Sequence, residues 1–297
     1  MDSAEKKRSP LFINSFVLKI LALLTMTIDH LFVCFGEFSS QFPNDLYMIG
    51  RGIGRLAFPL FCFMIVQGAI HTRRFSNYAL RLGICASAVS IGMIGIEYLP
   101  IFQGISMRQE GVIFVDLLLG ATAVFCLRNK KWYIKLLSLL ILGFSVVSTF
   151  ASGLECAVCG REVWFVPFFM RTQYGFCGVL MMILMYFGYR ISRYILDKYQ
   201  GAFDGTTTER ILLNLGYIAG IVIAVIVYYL FQINAGAFDL YFNNYIELQL
   251  ISIASIVFVF LYNGKPGYNK IWFRHGCYLY YIVHLIILYG IFMLIYG

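Results

Sequence analysis

The chain has 297 residues, of which 60% are hydrophobic and only 13% are charged, and its mean hydropathy is +0.78. This composition excludes an ordinary soluble globular protein and is typical of a membrane protein with several spans. The formal net charge of +8 comes largely from basic residues near the ends of apolar segments, so it gives no reason to expect nucleic-acid binding.

Nine apolar segments are long enough to cross a hydrocarbon core of roughly 30 Å. They cover residues 16–36, 47–70, 78–99, 111–127, 132–150, 163–189, 211–231, 246–262 and 277–296. Asp116 interrupts the fourth segment and Glu247 opens the eighth, so either could be tilted or partly re-entrant. The sequence therefore predicts an all-α polytopic membrane fold with about nine helices (eight to ten) in a single domain, residues 1–297.

Lysine and arginine cluster before the first segment and after the second, fourth, sixth and eighth. Because such residues stay on the cytoplasmic side, this pattern predicts a cytoplasmic N-terminus, with residues 1–15 as a cytoplasmic tail. The first segment contains Asp29 and His30 and lacks a small-residue cleavage pattern. We therefore expect it to be retained as a helix in the lipid bilayer rather than removed as a signal peptide.

Ionisable residues lie inside the first two segments. Asp29 and His30 are in the first, and Arg51 and Arg55 are at the start of the second. A charged group at mid-bilayer costs at least roughly 2.5 kcal/mol, so such residues usually face a protein interior or a wet cavity. Helical spacing turns Asp29 away from His30, so we expect Asp29 to pair with Arg51 or Arg55. The alternative is that such a pair only fixes helix packing. Pro59 is expected to loosen or kink the second helix.

A basic cluster follows the second segment: His71, Arg73, Arg74, Tyr78 and Arg81. Helical periodicity puts Arg74, Tyr78 and Arg81 on one face. The guanidinium fork suits phosphate oxygens, and tyrosine can stack on an aromatic base. We expect these residues to bind a phosphorylated donor, and the alternative is that they only mark the inner membrane surface.

His284 lies inside the last segment, where a neutral imidazole can accept a proton from an attacking amine or hydroxyl. A lone histidine in an apolar helix is otherwise a packing residue. Cys156 and Cys159 fall in an outer loop and could form a local disulfide. A zinc site would need further ligands, which are not nearby in sequence, so no metal is expected. The other six cysteines are predicted to be inert packing residues.

Several blocks of the sequence resemble the TraX family. The first helix ends its common block at Thr27-Ile28-Asp29-His30, and residues 50–61 read GRGIGRLAFPLF. The sequence His71-Thr72-Arg73 and the residues Tyr78, Arg81 and Leu82 follow. Looser blocks at 112–120, 174–180 and 281–285 come in the family's order, so the resemblance extends over nearly the whole chain.

The resemblance implies an integral membrane acetyltransferase of the bacterial plasma (inner) membrane. The family's name-giving member acetylates the N-terminus of the conjugative F-pilin subunit. It also implies acetyl-CoA as the co-substrate, and an exported peptide or envelope glycan as the acceptor. Departures at Asp116, at Thr172-Gln173 and in the loop with Cys156 and Cys159 mean that the acceptor need not be pilin.

Residues and resemblance together predict a mechanism. Coenzyme A would bind through the phosphate-binding arginines, and its pantetheine arm would bring the thioester to His30, the general base. Arg51 or Arg55 would stabilise the oxyanion, with Asp29 and His284 in the same site. Direct transfer and an acetyl-histidine intermediate on His30 or His284 both stay open. The rival functions are a small-solute transporter, with Asp29, Arg51, Arg55 and Asp116 along its path, and a structural subunit of a secretion assembly.

Overall fold

The computed structural model describes residues 11–39, 41–98, 111–157, 165–199, 206–234 and 246–296. Regular structure in these ranges is helical, apart from one isolated bridge between Ile13 and Tyr262. The helices are α1 Ser15–Phe38, α2 Asn44–Gly54, α3 Ala57–His71, α4 Phe75–Tyr98, α5 Ile113–Arg128, α6 Trp132–Ala157, α7 Gly175–Lys198, α8 Thr206–Asn234, α9 Ile246–Ile251, α10 Ile256–Phe260 and α11 Ile271–Tyr296. Short 3₁₀ turns occur at Phe168–Met170 and Ser252–Ser255.

The all-α membrane fold is confirmed, but the count of nine spans is not. Seven helical stretches of the described residues are long and apolar enough to cross a membrane: Ser15–Phe38, Asn44–His71, Phe75–Gly95, Trp132–Leu154, Phe168–Lys198, Thr207–Ile233 and Ile271–Tyr296. The predicted segments 111–127 and 246–262 correspond to α5, which has 16 residues, and to the short apolar stretch Leu248–Phe260. Sixteen helical residues extend only about 24 Å, which is less than the bilayer core.

The second predicted span is interrupted where Pro59 lies four residues beyond Arg55. Proline has no N–H to donate to the Arg55 carbonyl. Just before the proline the backbone tightens: Arg55 N donates to the carbonyls of both Arg51 and Gly52, and Leu56 N donates to the Ile53 carbonyl, each at 3.2 Å. The expected interruption is thus present and divides this span into α2 and α3.

Glycines allow two pairs of helices to approach closely. In α2, a methyl group at Gly54 would collide with the side chain of Asp29 in α1. Gly188 in α7 and Gly216 in α8 lie with their backbones against each other. In lipid no hydrophobic driving force brings helices together, and small residues at such crossings allow the close van der Waals packing that does.

The interior is formed mainly by α1, α3, α5, α7 and α8, whereas α6 and α11 expose leucine and isoleucine along much of their length. Near the start of α1, Ile13 N donates to the Leu261 carbonyl at 3.1 Å, and Asn263 N donates to the Ile13 carbonyl at 2.8 Å. This backbone pairing fixes the residues before α1 to the residues that follow α10.

Candidate active site

Two cavities lie one above the other along the same helices. One, the histidine pocket, has a volume of about 160 Å³ and is lined by Asp29, His30, Arg51, Arg55 and Tyr174, among others. The other, the basic pocket, has a volume of about 490 Å³ and is lined by Lys19, Gln67, Arg81, Arg210 and Arg274, among others. Helices α1, α3, α4 and α11 each contribute side chains to both.

His30 of α1 contacts His284 of α11 at the wall of the histidine pocket. The two atoms His30 Nδ1 and His284 Nε2 are 2.7 Å apart, and His284 Nδ1 lies 3.0 Å from the carbonyl oxygen of Tyr280. His284 is almost fully buried, at 4% exposure. Two further hydrogen bonds join these helices, between the hydroxyls of Thr27 and Tyr280 at 2.6 Å and from Tyr289 to the Glu37 carboxylate at 2.8 Å.

These contacts determine which nitrogens of the neutral rings carry protons. A carbonyl oxygen only accepts, so His284 Nδ1 is the donor to Tyr280. His284 Nε2 then accepts, so His30 Nδ1 is the donor to it. The remaining nitrogen, His30 Nε2, keeps its lone pair for a molecule bound in the pocket. This is the arrangement of a general base held by a second residue.

Of the two partners expected for Asp29, Arg51 and Arg55, the structure pairs it with Arg51. The Arg51 Nη1 to Asp29 Oδ2 distance is 2.9 Å, and their side chains are 14% and 13% exposed. Asp29 makes no contact with the His30 ring that would orient it, as helical spacing predicted. The Asp29–Arg51 pair instead fixes α2 against α1 and keeps a guanidinium at the pocket.

Arg55 lies on the same wall and donates a side-chain hydrogen bond to Tyr174. Its Nε has no hydrogen-bond partner in the described part of the chain, which leaves a donor for a ligand. The Tyr174 ring stacks on Phe58, with centroids 3.6 Å apart. The histidine pocket therefore contains a guanidinium held by an aromatic side chain, and His30 lines the same pocket.

Asp116, to which the predicted acyl-transfer mechanism gives no role, holds this wall in place. It is fully buried and its carboxylate accepts from the backbone N–H of Gln173 at 2.7 Å and of Tyr174 at 3.3 Å. Its departure from the family pattern was visible in the sequence, but the contact spans 57 positions and no local spacing indicates it.

The basic pocket contains only part of the predicted donor cluster. His71, Tyr78 and Arg81 line it, whereas Arg73 and Arg74 are exposed and do not. Tyr78 is buried and its hydroxyl donates to the Ile65 carbonyl at 3.3 Å. Donor binding by the five residues stays a prediction.

Other cations complete the basic pocket. Lys19, Arg210 and Arg274 line it, although their positions near segment ends had indicated only membrane orientation. Gln67 Nε2 is buried there without a hydrogen-bond partner among the described residues. Arg210 lies 5.8 Å from the ring of Tyr262. These groups suit an anionic ligand with several acceptor oxygens.

The predicted cysteine pair lies outside the residues whose side chains are described. Of the other six cysteines, five are buried and reduced, and Cys277 is half-buried at the basic pocket. No cluster of three or more potential metal ligands occurs among the described residues.

With two cavities, an intramembrane histidine pair and an ion pair on a helical scaffold, the chain has the features of a membrane protein with a buried polar site. The profile of the TraX protein family matches residues 15–292, so the chain belongs to the TraX family. It is also similar to the probable fimbrial assembly protein FimC, serogroup H1, of Dichelobacter nodosus, with 28% identity over 143 residues. That match covers 46% of this chain and 55% of the relative, so the chain spans about half the length of the curated relative. No solved structure matches.

Proposed function

We propose that the protein is a membrane-embedded acetyltransferase. It moves an acetyl group from acetyl-CoA, which enters from the cytoplasmic side, to an amine or hydroxyl of an acceptor on the opposite side. The observation that carries this proposal is the free lone pair of His30 Nε2 in a pocket that borders the basic pocket along the same helices.

The basic pocket suits acetyl-CoA by its charge and by the distance from its cations to His30. Arg81, Arg210 and Arg274 would bind the coenzyme A phosphates, and Gln67 offers a further donor. Lys19 and His30 are eleven residues apart in α1, which corresponds to about 16 Å along the helix. The pantetheine arm has twelve bonds from its phosphate ester oxygen to sulfur and extends roughly 14 Å at peptide-like geometry. The thioester therefore comes close to His30 while the phosphates stay among the cations.

The chemistry is acyl transfer with a general base. The acceptor's nitrogen or oxygen attacks the thioester carbonyl while His30 Nε2 takes its proton, and Arg55 or Arg51 stabilises the oxyanion. The carbon–sulfur bond then breaks, and the thiolate leaves and takes the proton as coenzyme A. His284 holds the His30 ring throughout. An acetyl-histidine intermediate would give the same products in two steps.

The acceptor is an exported peptide N-terminus of the pilin type or an envelope glycan. Support comes from the resemblance to the F-pilin acetylase and from the fimbrial assembly protein among the relatives. Both also favour the bacterial inner membrane as the location.

The test uses membrane vesicles that contain the protein and acetyl-labelled coenzyme A. Label should enter a product other than coenzyme A with the native protein and with Leu24→Ala, a control on the exposed face of the same helix. His30→Ala, at matched abundance, should transfer no label. An active, folded His30→Ala protein contradicts the mechanism. If neither protein transfers label with acceptor-rich envelope present, the small-solute transporter becomes the better hypothesis, and uptake into sealed vesicles is measured next.

A further inference from the structure

The two pockets share part of their walls. Of the residues described, Phe61 in α3 and Tyr281 in α11 line both the histidine pocket and the basic pocket. Their ring centroids are 6.5 Å apart and the rings are nearly perpendicular, at 78°. They therefore lie at the level where the pockets meet.

The two rings differ in how firmly they are held. Tyr281 is buried, at 8% exposure. Phe114 packs edge-on against it at 4.7 Å, and the His284 ring contacts it at 5.7 Å. Phe61 is half-buried and borders both cavities. Rotation of the Phe61 ring into either cavity requires less repacking than movement of Tyr281.

We propose that Phe61 and Tyr281 form an aromatic partition that closes the histidine pocket from the basic pocket, and that the Phe61 ring moves aside to let the pantetheine thioester pass. The identification of the arriving molecule rests on the proposed function. The partition keeps water and small ions from crossing between the two sides when no donor is bound. It also places the thioester against Tyr281, whose ring contacts His284, the residue that orients His30.

The test measures access to the histidine pocket from each side of the membrane and requires no acyl transfer. Ala57, which lines that pocket only, is replaced by cysteine in a chain where Cys156, Cys159 and Cys277 are serine. Sealed vesicles of both orientations are treated with the impermeant anionic reagent sulfonatoethyl methanethiosulfonate. With native Phe61, the cysteine should react from the outer face and not from the inner face. With Phe61→Ala added, it should react from both.

Met64→Ala is the matched control, since Met64 is one turn further along α3 and lines only the basic pocket. It should leave the one-sided reaction unchanged. Two-sided reaction with native Phe61, or no reaction from the outer face, overturns the proposal. So does one-sided reaction in Phe61→Ala, when that protein elutes as a monodisperse species from size exclusion.

Passage of the arm has its own test. Desulfo-coenzyme A, which has the arm but no thiol, is added at the inner face of the Ala57→Cys protein with native Phe61. It should slow modification from the outer face, and an unchanged rate contradicts passage. The protein could fail to transfer acetyl groups while the Ala57→Cys reaction is still one-sided with native Phe61 and two-sided with Phe61→Ala. In that case acetyl-CoA is not the donor, but the aromatic partition is still supported.

Discussion

His30 and His284 have different tasks because their ring nitrogens have different partners. His284 uses both nitrogens in hydrogen bonds, to Tyr280 and to His30, whereas His30 uses one. A ring held on one side presents its other nitrogen at a fixed place and in a fixed tautomer. In the proposed mechanism His30 is therefore the catalytic base, and His284 is a positioning residue.

His284→Gln and His284→Leu separate these tasks. Glutamine can still accept a hydrogen bond from His30 Nδ1 through its side-chain oxygen, and leucine cannot. We expect kcat to fall in His284→Leu by up to about 10²- to 10⁴-fold, the range of general-base contributions, and to fall less in His284→Gln. The KM for acetyl-CoA should stay unchanged in both, and steady-state kinetics measures the two constants. Equal losses of kcat in the two variants contradict a hydrogen-bonding role.

The Asp29–Arg51 pair contributes to stability, since both side chains are largely buried. Removing one partner of a buried pair leaves an uncompensated charge and costs about 3–5 kcal/mol. Asp29→Ala should therefore lower the thermal midpoint in detergent markedly. The double variant Asp29→Ala/Arg51→Leu should unfold at a higher temperature than Asp29→Ala. If the double variant is the less stable of the two, the charges are not coupled.

At the scale of the helices, α1 and α2 pack so closely that glycine is required at their crossing. A methyl group at Gly54 would meet the Asp29 side chain, whereas one at Gly83 in α4 would meet nothing within 4 Å. The Asp29 side chain cannot easily move away, because it is bound to Arg51.

Gly54→Ala and Gly83→Ala are thus a matched pair of variants. Alanine in a helix interior is favoured over glycine by about 1 kcal/mol, so Gly83→Ala should be neutral or stabilising. Gly54→Ala should lower both the thermal midpoint and acetyl transfer, because it displaces Asp29. Thermal denaturation and the labelled-acetyl assay check both, and a silent Gly54→Ala would contradict the tight crossing.

The helical pattern explains what the sequence could and could not predict. The Asp29 pairing and the interruption before Pro59 follow from 3.6-residue periodicity and from the missing proline N–H, both of which are local. The His30–His284 contact joins residues 254 positions apart, and no local rule brings them together. The count of nine spans is not confirmed, because the predicted fourth span corresponds to α5, a short helix with ten buried residues. A helix surrounded by protein need not match the thickness of the bilayer.

At the scale of the whole molecule, basic residues occur in two settings that a sequence cannot separate. Arg73 and Arg74 face outward, whereas Arg210 and Arg274 line the basic pocket. Hydropathy places all four near segment ends, where orientation explains them equally well. Only the packing of α3, α4, α8 and α11 around one cavity distinguishes the cations that line a pocket from those that are exposed.

Arg210→Gln, Arg274→Gln and Arg73→Gln distinguish the two roles. A hydrogen bond to a charged group contributes about 1.5–3 kcal/mol, so the first two variants should raise the KM for acetyl-CoA about tenfold or more with little change in kcat. Arg73→Gln should leave both constants unchanged. If it is the variant that raises KM, the donor binds at the exposed cluster instead.

The hydrogen bonds between α1 and α11 also have a consequence for biosynthesis. Thr27, His30 and Glu37 leave the ribosome 253, 254 and 252 positions before their respective partners Tyr280, His284 and Tyr289. His30 therefore gains the partner that orients its ring only when α11 enters the bilayer beside α1. A nascent chain in which α11 has not yet inserted holds the Asp29–Arg51 pair but lacks the His30–His284 contact, so we expect the proposed acetyl transfer to begin only after α11 has inserted.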